Sequence, residues 1–147
     1  MMRLSTKGRY ATRVMLELAL SYGNGNVLLR DIAKRQDISE GYLEHLIPPL
    51  KSGGLVHANR GARGGYTLAR PPAEITVKDI VILMEGSLSP VECVDDPDTC
   101  QRSDFCVTQE VWKELGAKIS ETLETITLKD LVERHKRKKE DQHLYHI

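Results

Sequence analysis

The stretch LLRDIAKRQDISEGYLEHLI, residues 28–47, decides the fold. Its first half places Leu29, Ile32 and Ala33 on one face of a short helix. Ser39 then stands at an N-cap position, and the residues after it predict a second helix. The apolar residues of this second helix that we expect to face inward are Leu43, Leu46, Ile47 and Leu50. Two short helices joined by a tight connection predict a helix-turn-helix motif.

A helix precedes this motif and a hairpin follows it. Apolar residues at helical spacing from Thr6 to Tyr22 predict the preceding helix, with Ser5 or Thr6 as its N-cap. The sequence LVHANRGARGGYTLAR, residues 55–70, has two extended runs around a glycine-rich tip, which is typical of a β-hairpin. Alone, this pattern fits a surface turn equally well, but after a helix-turn-helix it favours a wing. We therefore predict a winged helix-turn-helix domain over residues 1–72.

A connecting helix and an irregular loop follow this domain. The pattern TVKD is a capping box that opens a helix within residues 73–86. Residues 87–106 lose all periodicity and carry five acidic residues against one arginine. We therefore predict a loop over residues 87–106.

Long helices complete a mostly α fold. Apolar residues recur at four-residue steps, as Val111, Leu115, Ile119 and Leu123, with Trp112 beside them. A second capping box, from Thr127 to Asp130, restarts a helix. We predict dimerisation helices over residues 107–140 and a frayed tail over residues 141–147. A symmetric dimer would bury the apolar stripe, whereas packing on the chain's own N-terminal domain is the alternative.

The overall charge is balanced but unevenly distributed. Lys and Arg number 21, as do Asp and Glu, yet residues 1–72 hold 11 basic against 5 acidic residues, and residues 73–147 hold 10 against 16. This asymmetry indicates an anionic partner for the first half only. The chain has no run of about 18 apolar residues and no secretory signal, so we expect a cytoplasmic protein without a membrane partner. It has no nucleophile elbow or phosphate-binding loop, so we expect no enzymatic activity.

All three cysteines lie within 14 positions of the acidic loop, as Cys93, Cys100 and Cys106. An odd number of cysteines in a cytoplasmic protein argues against a disulfide framework. Thiolates are soft ligands suited to zinc or an iron–sulfur cluster, although this spacing is wider than that of zinc ribbons. The residues alone leave a metal site and a set of redox-active thiols as equal alternatives.

Taken together, these motifs resemble those of the IscR-like iron–sulfur cluster-dependent regulators, winged-helix transcription factors of bacteria. The resemblance covers nearly the whole chain, through MRLSTKGRYA, NGNVLLRDIA, ISEGYLEHL, RGARGGYTLAR and ITLKDLV. It implies a homodimer that holds one 2Fe–2S cluster per subunit through the three cysteines and one non-cysteine ligand. It also implies cluster-tuned binding to palindromic operators in double-stranded DNA at cluster-assembly genes, with a cluster-assembly scaffold as the cluster donor. Three cysteines and one further ligand would equally suit a 4Fe–4S cluster.

The fourth ligand is where this chain departs from the resemblance. Close members of the family carry a histidine three residues after the last cysteine, and Gln109, a poor iron ligand, stands there. We choose Glu44 because a free carboxylate facing DNA is disfavoured unless it accepts from a cytosine. Iron ligation would remove its charge from the groove. The other candidates are His45, His57, Glu92 and Asp104.

Winged-helix geometry predicts three sets of DNA contacts. The start of the third helix is expected in the major groove through Ser39, Glu40, Gly41 and Tyr42. Arg60 and Arg63 on the wing are expected in the flanking minor groove. The expected phosphate anchors are Arg3, Lys7, Arg9 and Lys51. Pro48 and Pro49 predict a kink or an end in the recognition helix.

Two other functions compete with the cluster sensor. The first is a thiol-based redox or nitric-oxide switch on the same DNA-binding scaffold, without iron. The second is a small electron-transfer protein, which the basic wing and the single three-thiolate site disfavour.

Overall fold

The computed structural model describes residues 3–145. Its α-helices are α1 (Thr6–Leu20), α2 (Leu29–Gln36), α3 (Glu40–Ser52), α4 (Val77–Glu85), α5 (Glu92–Asp95), α6 (Val107–Glu124) and α7 (Leu128–Tyr145). Its strands are β1 (Val56–Asn59) and β2 (Gly65–Leu68), which pair antiparallel. The predicted winged helix-turn-helix of three helices and a hairpin is confirmed. No helix in residues 3–145 is long and apolar enough to cross a membrane.

One apolar core holds the three N-terminal helices and the hairpin together. The four residues predicted to face inward from α3 are all buried, and they meet Met15 of α1, Ile32 of α2 and Leu55 before β1. Each buried side chain of this size contributes about 1.5–3 kcal/mol relative to exposure. This core fixes the angle between α2 and α3.

The third helix does not end at its prolines. Pro48 and Pro49 have no N–H to donate, yet α3 continues to Ser52. Ile47 and Leu50, on either side of the pair, are buried, so packing offsets the lost hydrogen bonds. Of the predicted kink or end, the end is wrong because tertiary burial overrides the local preference of proline, and the kink stays a prediction.

A third extended segment supports the wing. Val27, in the connection between α1 and α2, exchanges backbone hydrogen bonds of 2.8 and 2.9 Å with Tyr66 of β2. Gly65 has a φ of +146°, and a Cβ there would lie 2.7 Å from the Val27 carbonyl oxygen. Only glycine leaves room for this pairing.

The predicted capping boxes are both present. Thr76 and Asp79 open α4 through reciprocal hydrogen bonds of 2.9 and 3.1 Å, and Thr127 and Asp130 open α7 with the same two distances. In contrast, Ser5 occupies the N-cap position of α1, but its side chain makes no cap hydrogen bond to the helix.

The C-terminal half differs from the sequence prediction in two places. Residues 87–106 are not wholly irregular, because they contain α5 and two 3-10 turns. The frayed tail predicted from residue 141 is wrong up to residue 145, since α7 extends that far; the last two residues lie outside the described range. Leu128 of α7 is fully buried, and Leu131 and Val132 pack against the N-terminal core.

The apolar stripe of α6 is partly uncovered in residues 3–145. Val111, Trp112 and Leu115 are exposed, while Ile119 and Leu123 are half-buried. The homodimer predicted from this stripe therefore has a free apolar surface available.

Candidate nucleic-acid interface and cysteine loop

The start of α3 presents three small or polar residues to solvent. Ser39 accepts a hydrogen bond from the Tyr42 N–H at 3.2 Å, so its side chain caps the helix. Glu40 and Gly41 are exposed, and a Cβ at Gly41 would meet nothing within 4 Å. This surface is open to a groove of DNA.

Tyr42 is held partly by the protein itself. Its ring lies 5.8 Å from that of Tyr10 of α1 at an interplanar angle of 89°, and it is half-buried. This edge-to-face contact is a favoured aromatic geometry. Tyr42 therefore links the recognition helix to α1 in addition to any contact with DNA.

A buried carboxylate that the sequence analysis missed supports this aromatic pair. Glu17 is only 4% exposed, and it accepts hydrogen bonds from Gln36 Nε2 at 2.7 Å and Arg35 Nη1 at 3.1 Å. Gln36 Oε1 accepts from Arg13 Nε at 2.8 Å, and the Arg13 guanidinium lies 4.9 Å from the Tyr10 ring centroid. A carboxylate within the buried face of α1 was the signal that could have indicated this network.

The wing presents its two arginines at a fixed tip. Arg60 and Arg63 are exposed, and the Arg63 backbone carbonyl accepts from Asn26 Nδ2. Asn59 Nδ2 in turn donates to Asn26 Oδ1 at 2.7 Å. These asparagines, which the sequence analysis did not single out, tie the tip to the loop before α2.

The four predicted phosphate anchors are all exposed. Within residues 3–145, none of Arg3, Lys7, Arg9 and Lys51 forms an ion pair with an acidic side chain. Lys51 lines a groove of about 580 Å³ between α3 and the wing, together with Glu44, Pro48 and Tyr66. Glu44 is therefore exposed in the same groove as a cation that is available to phosphate.

The three cysteines are free thiols between α4 and α6. Cys93 is half-buried in α5, Cys100 is exposed, and Cys106 is half-buried at the N-cap of α6. The Thr108 hydroxyl lies 3.2 Å from the Cys106 sulfur, and this hydrogen bond lowers the pKa of the Cys106 thiol below its usual value. The lowered pKa favours the thiolate of Cys106, which is the form of a thiol that binds metals.

Gln109 ties the two ends of this cysteine segment together. Its side chain is only 4% exposed, and its Nε2 donates to the Cys93 carbonyl oxygen at 2.8 Å. The residue that replaces the family histidine thus has a structural role already.

The donors are suitable for a metal cluster, but one chain does not assemble them. Three thiols on one segment are the ligand type that iron–sulfur clusters require. Across residues 3–145, however, no three His, Cys, Asp or Glu side chains lie close enough together to hold a metal ion. Within the described residues, therefore, neither Glu44 nor an alternative fourth ligand completes a group of three donors with the cysteines.

Comparison with known proteins identifies the family. The Rrf2 family model, described as "Iron-dependent Transcriptional regulator", matches residues 4–134. The transcriptional regulator CymR of Bacillus subtilis is 42% identical over 130 residues, which cover 88% of this chain and 89% of that protein. The transcriptional regulator IscR of Serratia proteamaculans is 42% identical over 131 residues, or 89% of this chain and 79% of that protein.

Solved structures agree with the sequence comparison. The solved structure of CymR, the global cysteine regulator of B. subtilis, matches with a TM-score of 0.78 at 40% identity, over 91% of this chain and 98% of that chain. T. potens IscR has a TM-score of 0.75 at 42% identity, with coverage of 91% and 88%. The resemblance to IscR-like proteins and the prediction that the chain is not an enzyme are both confirmed. The chain belongs to the Rrf2 family of DNA-binding winged-helix transcriptional regulators.

Proposed function

We propose that this regulator senses iron–sulfur status through a 2Fe–2S cluster held by Cys93, Cys100 and Cys106 and one non-cysteine ligand. The observation that carries the proposal is the location of all three cysteines, as free thiols, on the single segment between α4 and α6. The lowered pKa of Cys106 favours the thiolate that a cluster requires. When bound, such a cluster supplies a centre that responds to iron and oxidants. The proposed targets are promoters of cluster-assembly genes.

Glu44 is the proposed fourth ligand. Gln109 is already engaged by the Cys93 carbonyl, and across residues 3–145 no three candidate donors lie close enough together to hold a metal ion. Glu44 would therefore be supplied across a homodimer, from the DNA-binding domain of the other subunit. Ligation would withdraw a carboxylate from the groove beside Lys51, which would change the electrostatics of base recognition.

The proposed DNA complex places a homodimer on a palindromic operator. The exposed face of α6 at Val111, Trp112 and Leu115 is the proposed seam between subunits. Each subunit would place the start of α3 in the major groove and the wing arginines in the minor groove. The exposed basic anchors would contact phosphates on either side.

Anaerobic purification with iron and acid-labile sulfide analysis, a visible spectrum and native mass tests the cluster. We expect a coloured dimer with about two iron and two sulfide per chain, as a 2Fe–2S cluster requires. Cys100→Ser should remove the colour without unfolding the protein, because Cys100 is exposed. A colourless wild-type protein without sulfide, or one that carries zinc, contradicts the proposal.

A second variant pair tests the fourth ligand. Glu44→Ala should shorten the lifetime of the cluster and change its absorption. Glu40→Ala, which alters another exposed carboxylate of α3, should leave both unchanged. A Glu44→Ala spectrum and lifetime identical to those of the wild type would exclude Glu44 as a ligand.

A thiol switch is the second candidate, and the chemistry of Cys106 favours it. A thiolate stabilised by Thr108 would be oxidised by a peroxide to a sulfenic acid, which a second loop thiol would convert to a disulfide with release of water. Iron-free protein that binds its operator normally and loses affinity under hydrogen peroxide would favour the thiol switch over the cluster.

A further inference from the structure

The carboxylate of Glu85 caps the first helix from outside it. Its Oε1 accepts hydrogen bonds from the Ser5 N–H at 3.0 Å, the Ser5 Oγ at 2.5 Å and the Gly8 N–H at 2.9 Å. The first N–H groups of a helix have no partner within it, and a negative charge is favourable there. Glu85, from the far end of α4, thus replaces the local cap that Ser5 does not provide.

Gly8 provides the space for this contact. A Cβ at Gly8 would lie 2.5 Å from Glu85 Oε1, 3.1 Å from its Cγ and 3.2 Å from its Cδ. A side chain at residue 8 would therefore push the carboxylate away from α1. The contact can be disturbed independently from either partner.

Glu85 lies between two parts of the molecule, the basic start of α1 and the cysteine segment. On one side, Ser5 and Gly8 lie among three of the exposed basic anchors: Arg3, Lys7 and Arg9. On the other side, Gly86 follows at once with a φ of +82°, which favours glycine, and the cysteine segment begins at the next residue.

Short hydrogen bonds continue this connection toward Cys93. The Ser89 N–H donates to Ser87 Oγ at 3.0 Å, and Ser89 Oγ donates to Asp95 Oδ1 at 2.6 Å. Asp95 and Cys93 share α5. These hydrogen bonds connect α5, and with it Cys93, to Ser87, which lies two residues after Glu85.

We propose that Glu85 is a positioning residue that couples the state of the cysteine segment to DNA affinity. With its three hydrogen bonds in place, the start of α1 is held and its basic side chains are presented together to phosphates. A change at the cysteines that displaces Ser87 and Gly86 shifts the C-terminal end of α4, withdraws the carboxylate and releases this basic segment. The coupling rests on the proposed function, since it needs a change of state at the cysteines.

The experiment measures DNA affinity in two states of the cysteine segment. One state is the protein as purified anaerobically, and the other is the same protein after iron chelation and alkylation with N-ethylmaleimide. The probe is a fluorescent duplex that the wild type selects from a random-sequence library, titrated over a range of salt concentrations. The compared proteins are the wild type, Glu85→Ala, Glu85→Gln, Gly8→Ala and the control Glu74→Ala, which alters an exposed carboxylate.

We expect the ratio of the two affinities to differ from one in the wild type and to approach one in Glu85→Ala. In Glu85→Ala, the loss of up to three phosphate contacts per subunit, from Arg3, Lys7 and Arg9, should also reduce the slope of log affinity against log salt by about 2 to 3 per subunit. Gly8→Ala should behave as Glu85→Ala does, and the double variant should add nothing because both changes break one contact. Glu85→Gln keeps an acceptor oxygen and should retain most of the ratio, and Glu74→Ala should retain all of it.

Two results would overturn the coupling. One is a Glu85→Ala protein, or a Gly8→Ala protein if the former does not fold, that keeps the wild-type ratio and salt slope. The other is a wild type with the same DNA affinity in both states. Failure of the proposed function gives a different result. A wild type without iron or sulfide whose DNA affinity still changes on alkylation would refute the cluster proposal and leave the coupling proposal standing.

Discussion

Replacing Arg60 and Arg63 together with alanine should flatten the salt dependence of DNA binding. Both side chains are exposed at a wing tip whose backbone is fixed by Asn26, so their loss should not disturb the fold. Each lost contact with the DNA backbone reduces the slope of log affinity against log salt by about 0.9. Losing four contacts in a dimer should therefore reduce the slope by about 3.6. Between about 50 and 200 mM salt, the wild type should lose about 100-fold more affinity than the variant.

Fluorescence anisotropy titrations with the selected duplex would measure both slopes. The control replaces Lys113 and Lys129, two cations outside the proposed DNA interface, with alanine. It should leave the salt slope near the wild-type value. Far-UV circular dichroism would check that both variants retain the fold. Undiminished affinity together with an unchanged slope in the wing variant would refute the assignment of the wing to DNA.

Three further predictions concern single contacts. Gln109→Ala should destabilise the fold by about 1–3 kcal/mol, because it leaves the Cys93 carbonyl without its donor. Thiol labelling of Cys93 should then become faster, and an unchanged labelling rate would show that Gln109 does not restrain Cys93. Gly65→Ala should lower the free energy of unfolding by about 1 kcal/mol or more in denaturant titrations, because its φ is unfavourable for alanine. In metal-free protein, iodoacetamide should alkylate Cys106 at a lower pH than an ordinary thiol because its pKa is lowered. Thr108→Val should raise that pKa and slow the reaction at neutral pH; an unshifted pH profile would exclude the hydroxyl as the cause.

Local signals in the sequence were sufficient for most of the helices and for the wing. Apolar periodicity located α1, α2 and α3, and the two Thr–Asp capping boxes formed as predicted because both partners lie within one turn. The glycine-rich hairpin formed for the same reason, since its turn requires local backbone freedom. These features depend on residues close in the chain, which a single sequence displays directly.

The errors and omissions arise where distant residues meet. The continuation of α3 past Pro48 depends on the burial of Ile47 and Leu50 by other helices. Glu85 caps α1 across 77 residues, and Val27 pairs with Tyr66 across the domain. No local pattern encodes these contacts, because each depends on how the whole chain folds.

The candidate site was predictable to a similar extent. The cysteines and the exposed basic residues could be chosen from residue type and spacing alone. The role of Gln109 as a tie to Cys93 could not, since an amide at that position has no distinctive sequence pattern. The fourth ligand stays a prediction because Glu44 and the cysteines form no group of three donors within the described residues.

Hydrogen bonds among its own residues and to Gln109 cross the cysteine segment. Ser89 bonds to Asp95, Ser103 Oγ donates to the Pro97 carbonyl at 2.6 Å, and Gln109 holds the Cys93 carbonyl. Many small metal domains fold only when the metal binds. Here the apolar core that would carry the proposed DNA contacts contains no cysteine, so we expect it to persist with and without a bound group. Gain or loss of the cluster would therefore alter affinity or sequence preference rather than create and abolish the DNA-binding domain, so both forms of the protein should bind DNA.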